Sequence, residues 1–272
     1  MIELTDTHCH IHEAQAVAVT KNGVQNKWVQ AGITDPEVII ERARKAGVTR
    51  LICVGTTTAD SELAVQLAAQ HDNVWASIGI HPHEANDHLA DRRLLQRFDA
   101  LVSKPKVVAI GECGLDYFYE HSSPDNQAVI LQHQLELAVA HELPLIFHVR
   151  EAFKDFWPVF DRYAGLRGVI HSFTATTNEL QDIQQRNLYV GLNGIMTFTK
   201  REAQLEAAKS VPLNRLLLET DAPFLTPAPV RGTVCEPKHL RLTAEFLTHL
   251  RGETLETLST ATTRNAQDLF GL

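Results

Sequence analysis

The sequence predicts a TIM (β/α)8 barrel, one α/β domain spanning residues 1–272. Three observations lead there. Eight short apolar runs rich in β-branched residues alternate with longer amphipathic segments along the whole chain. No Gly-rich dinucleotide turn follows the first run, which ranks an open doubly wound sheet below the closed barrel. Polar residues able to bind metal stand at the C-terminal ends of several runs, the face on which barrel active sites are built.

The runs cover 2–8, 50–55, 74–80, 107–112, 143–149, 168–171, 188–192 and 215–220. Right-handed crossovers between parallel strands leave few topologies for such an alternation. Between the runs, 36–46 places Val38, Ile39, Ala43 and Ala46 on one helical face, and Asp35-Pro36 reads as an N-cap followed by proline at the first helical position. Leu63, Leu67 and Ala68 share a face over 59–70. Further helices are expected at 88–103, 125–141, 151–163, 175–186 and 200–210, and one or two more over 236–269. Phe153, Phe156, Trp157 and Phe160 lie at helical spacing and read as helix packing rather than a base-stacking surface.

Composition narrows the function classes. With 44% hydrophobic and 21% charged residues, the chain can bury a sizeable core. There is no basic leader followed by an apolar run and no stretch of about 18 apolar residues, so a cytoplasmic protein without a membrane segment is expected. Cys9, Cys53, Cys113 and Cys235 form no C-x-x-C pair, which argues against a zinc ribbon or a disulfide framework. Three of them read as core residues, and Cys235, in a loop near the expected mouth, is the one thiol worth testing. A net charge of −8 excludes a whole-surface basic footprint for nucleic acid. Bound cations can supply the missing positive charge locally.

The first run ends in His8-Cys9-His10, the fourth in Gly111-Glu112, the fifth in Phe147-His148, the sixth in Ile170-His171 and the eighth in Glu219-Thr220-Asp221. Residues two apart on a strand point to one face, roughly 6.6 Å apart. His8 and His10 therefore face one site while Cys9 turns towards the helical layer, and His12 falls beyond the strand as a loop residue. A lone H-x-H is weak evidence for metal, but four more ligands at four other strand ends change the weighing. Four histidines and two carboxylates match a binuclear hydrolytic site. Two ions need a shared ligand, and Glu112 is the expected bridge, with His8, His10 and Asp221 on one ion and His148 and His171 on the other. Asp6 is expected to support the histidine pair from the same strand face.

The stretches D-T-H-C-H (6–10), G-I-H-P-H (79–83), I-G-E-C-G-L-D-Y (110–117), L-P-L-I-F-H-V-R (143–150), H-S-F-T (171–174) and L-L-E-T-D-A-P-F-L (217–225) resemble those of the TatD-type metal-dependent hydrolases, amidohydrolase-like TIM barrels. They occur in family order over nearly the whole chain. The resemblance places the family's metal ligands on the same six residues, supports Glu112 as the bridge, and implies phosphodiesterase or ester-hydrolase chemistry, with DNA exonuclease and D-aminoacyl-tRNA deacylase activities both known in the family. Cys235-Glu236-Pro237 stands where many members carry asparagine-glutamate-proline, residues 15–34 lengthen the first loop, and H-S-F-T-A departs from the usual motif. These changes surround the mouth and bear on substrate choice.

The expected enzyme is a binuclear, divalent-metal-dependent phosphodiesterase or deoxyribonuclease acting on DNA or RNA ends, with Glu112 and Asp221 in the catalytic roles. Zn, Mn, Ni, Co and Mg all suit histidine-carboxylate ligands. Asp221 is expected to bind metal and accept a proton, with Glu219 orienting it or forming an interior salt bridge. His81 and Arg150, just beyond strand ends, rank first for phosphate contact; His83, Arg231 and Lys238 follow. Asp116 and Tyr117 are placed to shape the pocket. The alternatives are an ester or amide hydrolase such as a deacylase acting on tRNA, and a metal-binding barrel without turnover. No obligate protein partner is inferred.

Overall fold

The computed structural model describes residues 2–15, 23–119 and 121–272. All eight expected runs are strands: β1 (Leu4–Cys9), β2 (Val48–Val54), β3 (Val74–Ile78), β4 (Val107–Asp116), β5 (Leu145–Arg150), β6 (Gly168–Ile170), β7 (Tyr189–Leu192) and β8 (Leu216–Leu218). They follow one another in the order β1 to β8, and the strand pairs with defined register are parallel. At least one helix lies between each strand and the next, so the chain has the TIM (β/α)8 fold.

The fold groups into two compact units, Met1–Cys53 with Ser172–Asp268, and Val54–His171 with Leu269–Leu272. The first unit holds β1, β7, β8 and β2 up to Cys53, with α1 (Gly23–Gln30), α2 (Pro36–Lys45), α8 (Thr177–Gln185), α9 (Glu202–Ser210), α10 (Leu240–Arg251) and α11 (Leu255–Phe270) up to Asp268. In the second, α3 (Thr58–Gln70), α4 (Ala85–Ala90), α5 (Arg92–Asp99), α6 (Pro124–His141) and α7 (Phe153–Phe160) flank β3 to β6.

Helix starts follow local chemistry. The Asp35 carboxylate accepts the Glu37 amide at 3.0 Å ahead of Pro36, as the sequence predicts. Ser123 caps α6 ahead of Pro124, and Thr176 with Glu179 forms a reciprocal capping box on α8. The helix expected over 88–103 is instead two. Asp91 lies between α4 and α5 in an extended conformation, and its side chain caps the Arg93 amide at 3.0 Å. Aspartate competes with the helical backbone in this way, so an apolar period running through it does not keep the helix continuous.

The segment 15–34 is not simply a loop: α1 lies within it, although 16–22 fall outside the described residues. Trp28 of α1 is fully buried and donates its indole N–H to the His10 carbonyl at 3.1 Å. On α7, Phe156, Trp157 and Phe160 are buried, and the Phe156 and Phe160 rings pack 5.1 and 5.7 Å from Phe147 of β5. That cluster is core, as its spacing predicts. Among the described residues, no helix is long and apolar enough to cross a membrane.

Candidate metal centre

Strand β1 is buried at all six positions although Thr5, Asp6, Thr7 and His8 are polar. Such a strand survives burial only if each polar group finds a partner. Thr7 Oγ1 donates to the Leu218 carbonyl of β8 at 3.1 Å. Asp6 accepts the Thr220 amide at 2.9 Å, the Thr220 hydroxyl at 2.6 Å and the His8 amide at 3.3 Å. Asp6 therefore supports the histidine pair through backbone rather than by touching the imidazoles. Burial pushes its carboxyl up to about 8, against the lowering effect of those bonds.

The same junction carries three of the expected ligands. The Asp221 amide donates to the His8 carbonyl and the His10 amide to the Ala222 carbonyl, both at 2.8 Å. This short ladder continues past the end of β8 and faces the three side chains together. His8 Nε2 lies 3.3 Å from His10 Nε2, and Asp221 Oδ1 lies 3.7 and 3.4 Å from the two nitrogens. Bonds of about 2.1 Å to a tetrahedral ion hold its ligand atoms about 3.4 Å apart, so this donor set fits a divalent cation. His12 lies beyond β1, as expected, but is not in an open loop. It belongs to a single 3-10 turn, Ile11–Glu13, and is fully buried.

The second unit brings Glu112, His148 and His171 together. Glu112 Oε1 is 2.8 Å from His148 Nδ1 and 3.8 Å from His171 Nε2. His81 joins them, its Nε2 3.5 Å from the same oxygen and its ring 4.6 Å from that of His148. One ligand atom each from His81, Glu112 and His148 lie within 4.8 Å of one another, a second donor set of the right chemistry. Burial lowers the pKa of His81 despite the nearby Glu112 charge, leaving a neutral imidazole.

Asp116 is more central than the sequence suggests. β4 continues four residues beyond the expected end, which carries Asp116 onto the Glu112 side. Its Oδ2 meets His148 Nε2 at 2.9 Å and His83 Nε2 at 3.1 Å. Burial opposes charge on this carboxylate, but bonds from His148, His83 and the Tyr119 amide outweigh burial and hold its pKa below the usual range. His148 is likewise disfavoured as a cation by burial and raised overall by Asp116 and Glu112. The signal that would have found Asp116 is the alternation that pairs His8 with His10, had the fourth strand been extended through Gly114. That glycine has φ +150°, and a Cβ there would overlap the His148 carbonyl oxygen of the neighbouring strand.

Other expectations resolve individually. Glu219 is buried and accepts from the Ser172 amide at 2.6 Å and Asn193 Nδ2 at 3.2 Å, so it anchors the turn after His171. Arg150 is exposed at the end of β5, with its guanidinium 4.0 Å from the Phe118 ring centre. Arg231 stacks 3.9 Å over Phe198, and Lys238 pairs with Glu236. All four cysteines are buried free thiols, including Cys235, whose pKa burial raises well above that of an ordinary thiol. Cys235 is thus a poor nucleophile.

The comparisons agree with this chemistry. A family model described as TatD related DNase matches residues 5–271. A Bacillus subtilis protein, named as the uncharacterized metal-dependent hydrolase YabD, is 34% identical over 98% of both chains. The 3'-5' ssDNA/RNA exonuclease TatD of Citrobacter rodentium is 35% identical over 88% of this chain and 93% of its own. The solved structure of the TatD homologue YjjV from Escherichia coli superposes with a TM-score of 0.86 at 26% identity, covering 99% of this chain and 98% of its own. With strand-end imidazoles and carboxylates on a TIM (β/α)8 fold and a family match over nearly its whole length, the chain belongs to the TatD-related DNase family of metal-dependent hydrolases.

Proposed function

We propose that the protein is a divalent-metal-dependent phosphodiesterase that hydrolyses DNA or RNA strands from an end, with residues 1–272 acting as one catalytic domain. The observation that carries this reading is a pair of donor sets at strand ends: His8, His10 and Asp221 at ligand spacing, and Glu112 within 3.8 Å of His148, His81 and His171. Relatives named as single-strand exonucleases support the substrate class.

In this reading His8, His10, Glu112, His148, His171 and Asp221 would hold two ions, with Glu112 contributing to both. When bound, such ions lower the pKa of water towards about 7 and polarise a phosphoryl oxygen. Zn, Mn, Ni, Co and Mg all suit these donors. Asp221, at 17% side-chain exposure beside two nearly inaccessible imidazoles, is the carboxylate that would accept a proton from water. His81 and Arg150 contact the phosphate. The neutral His81 imidazole offers an N–H, and the exposed Arg150 guanidinium offers charge and a planar donor array.

The test is metal-stimulated cleavage of end-labelled oligonucleotides by wild type, Glu112→Ala and Asp221→Ala, run beside aminoacyl esters, amides and lactones under the same metals. Loss of activity in both folded variants, with oligonucleotides cleaved in preference to carboxyl esters, is expected. Full activity in both variants would overturn the site, preferred ester cleavage would make the enzyme a deacylase-type hydrolase, and an inert metal-loaded protein would leave a binding barrel.

A further inference from the structure

Among the described residues, the exposed large hydrophobic side chains are four helix valines and two adjacent aromatics, Phe118 and Tyr119, at 49% and 44% exposure. The aromatic pair follows β4 after Tyr117. Its rings meet edge to face at 4.7 Å and 85°, and the Arg150 guanidinium lies 4.0 Å over Phe118 and 4.9 Å from Tyr119. His121 stacks on Tyr119 at 5.8 Å and 25°.

This group is held by the candidate site. Asp116 Oδ1 accepts the Phe118 and Tyr119 amides at 2.9 and 3.0 Å, while its Oδ2 engages His148 and His83. One carboxylate therefore fixes both the aromatic turn and a candidate ligand. Among the described residues no carboxylate pairs with Arg150, so its charge is available to a phosphate while cation–π contact orients it.

We propose that Phe118, Tyr119 and Arg150 form a stacking seat for the unpaired nucleobase next to the phosphodiester that is cleaved. The proposal rests on the phosphodiesterase reading above and adds the residues that grip the strand. A net charge of −8 argues against a whole-surface basic footprint along the phosphate backbone, so base stacking adds affinity that overall charge does not supply. Stacking tolerates any base because every base has a π face. It also demands an unpaired one, since both faces of a base inside a duplex are covered by its neighbours.

Two readouts separate this proposal from the function it builds on. Phosphorothioate-linked single-stranded oligonucleotides carrying 2-aminopurine at either end report stacking by fluorescence quenching without turnover. Wild type is expected to quench the probe; Phe118→Ala/Tyr119→Ala and Phe118→Leu/Tyr119→Leu are expected to lose the quenching, and the all-aromatic Phe118→Trp/Tyr119→Phe to retain it. In turnover, wild type is expected to show about a ten-fold higher KM for oligonucleotides whose terminal nucleotides lack bases, a ratio that falls to about one in the double alanine variant. Quenching without any cleavage would sink the phosphodiesterase reading and leave the seat standing. Cleavage with an undiminished KM ratio in the variants, or quenching equal to wild type, would overturn the seat. Loss of turnover by the same factor on intact and base-free strands would assign the aromatics a structural role and also overturn it. A protein that neither binds nor cleaves these strands refutes both.

Discussion

On β1 and β8 the candidate ligands are carried by backbone, whereas on β4 and β5 they are carried by side-chain charge. His8, His10 and Asp221 face one another because amide bonds from Asp221 to His8 and from His10 to Ala222 set their spacing, and Asp6 and Trp28 secure that junction from behind. Glu112, His148, Asp116 and His83 instead form a chain of acid and imidazole in which each group holds the next. The first arrangement is set by backbone hydrogen bonds between β1 and the segment after β8, with side chains such as Asp6 and Trp28 bracing it from behind. The second is a network of two buried carboxylates and two half-buried imidazoles, in which deleting one member strands the others.

That contrast can be broken experimentally. Asp116→Asn removes the charge that orients His148 and His83, and it should weaken metal affinity by about 10- to 100-fold, as loss of a ligand's supporting partner commonly does. Chelator competition on the metal-loaded protein measures it, and unchanged affinity would show that the β4–β5 network does not depend on charge. Asp6→Ala is the matching change on the other side. It leaves the buried Thr220 and His8 amides without their acceptor, and should cost about 1–3 kcal/mol in denaturant unfolding while the metal affinity of the protein falls less than in Asp116→Asn. A larger loss of affinity than in Asp116→Asn would reverse the comparison.

A cap far from either ligand set supplies the scale. Thr176→Ala removes the α8 capping box and should cost about 1 kcal/mol with metal affinity unaltered. Burial disfavours the Glu179 carboxylate, but bonds from Thr176 and from its own backbone amide together outweigh burial and hold its folded pKa below the usual value. The stabilisation this carboxylate provides is therefore fully present above its unfolded pKa, near 4.3, and is lost as pH falls through the lower folded value. Urea unfolding of wild type and Glu179→Gln between pH 7 and pH 3 should converge at the acid end. A gap that persists there would remove the carboxylate from the account.

Much of the molecule was legible before its fold was known. Eight strands were found at their places because parallel barrel strands, buried on both faces, read as apolar runs between amphipathic helices. The H-x-H pair was legible because strand geometry alone aims alternate residues together. Helical period alone assigns Phe156, Trp157 and Phe160 to the core, where all three are buried. The break at Asp91 and helix α1 escaped, since one depends on a cap outcompeting a continuous apolar pattern and the other on Trp28 finding a buried seat against His10.

By itself, then, the sequence determined the order of elements, the face on which polar side chains collect and the donor types available there, all consequences of local periodicity and residue chemistry. Tertiary structure alone decided how those groups share their bonds. Asp116 became the joint between His148, His83 and the Phe118–Tyr119 turn, Glu219 turned to Ser172 and Asn193, Arg150 settled on an aromatic ring, and Cys235 was buried. These outcomes depend on which neighbours lie within about 3 to 5 Å once strands far apart in sequence are brought side by side. No spacing along the chain encodes that proximity.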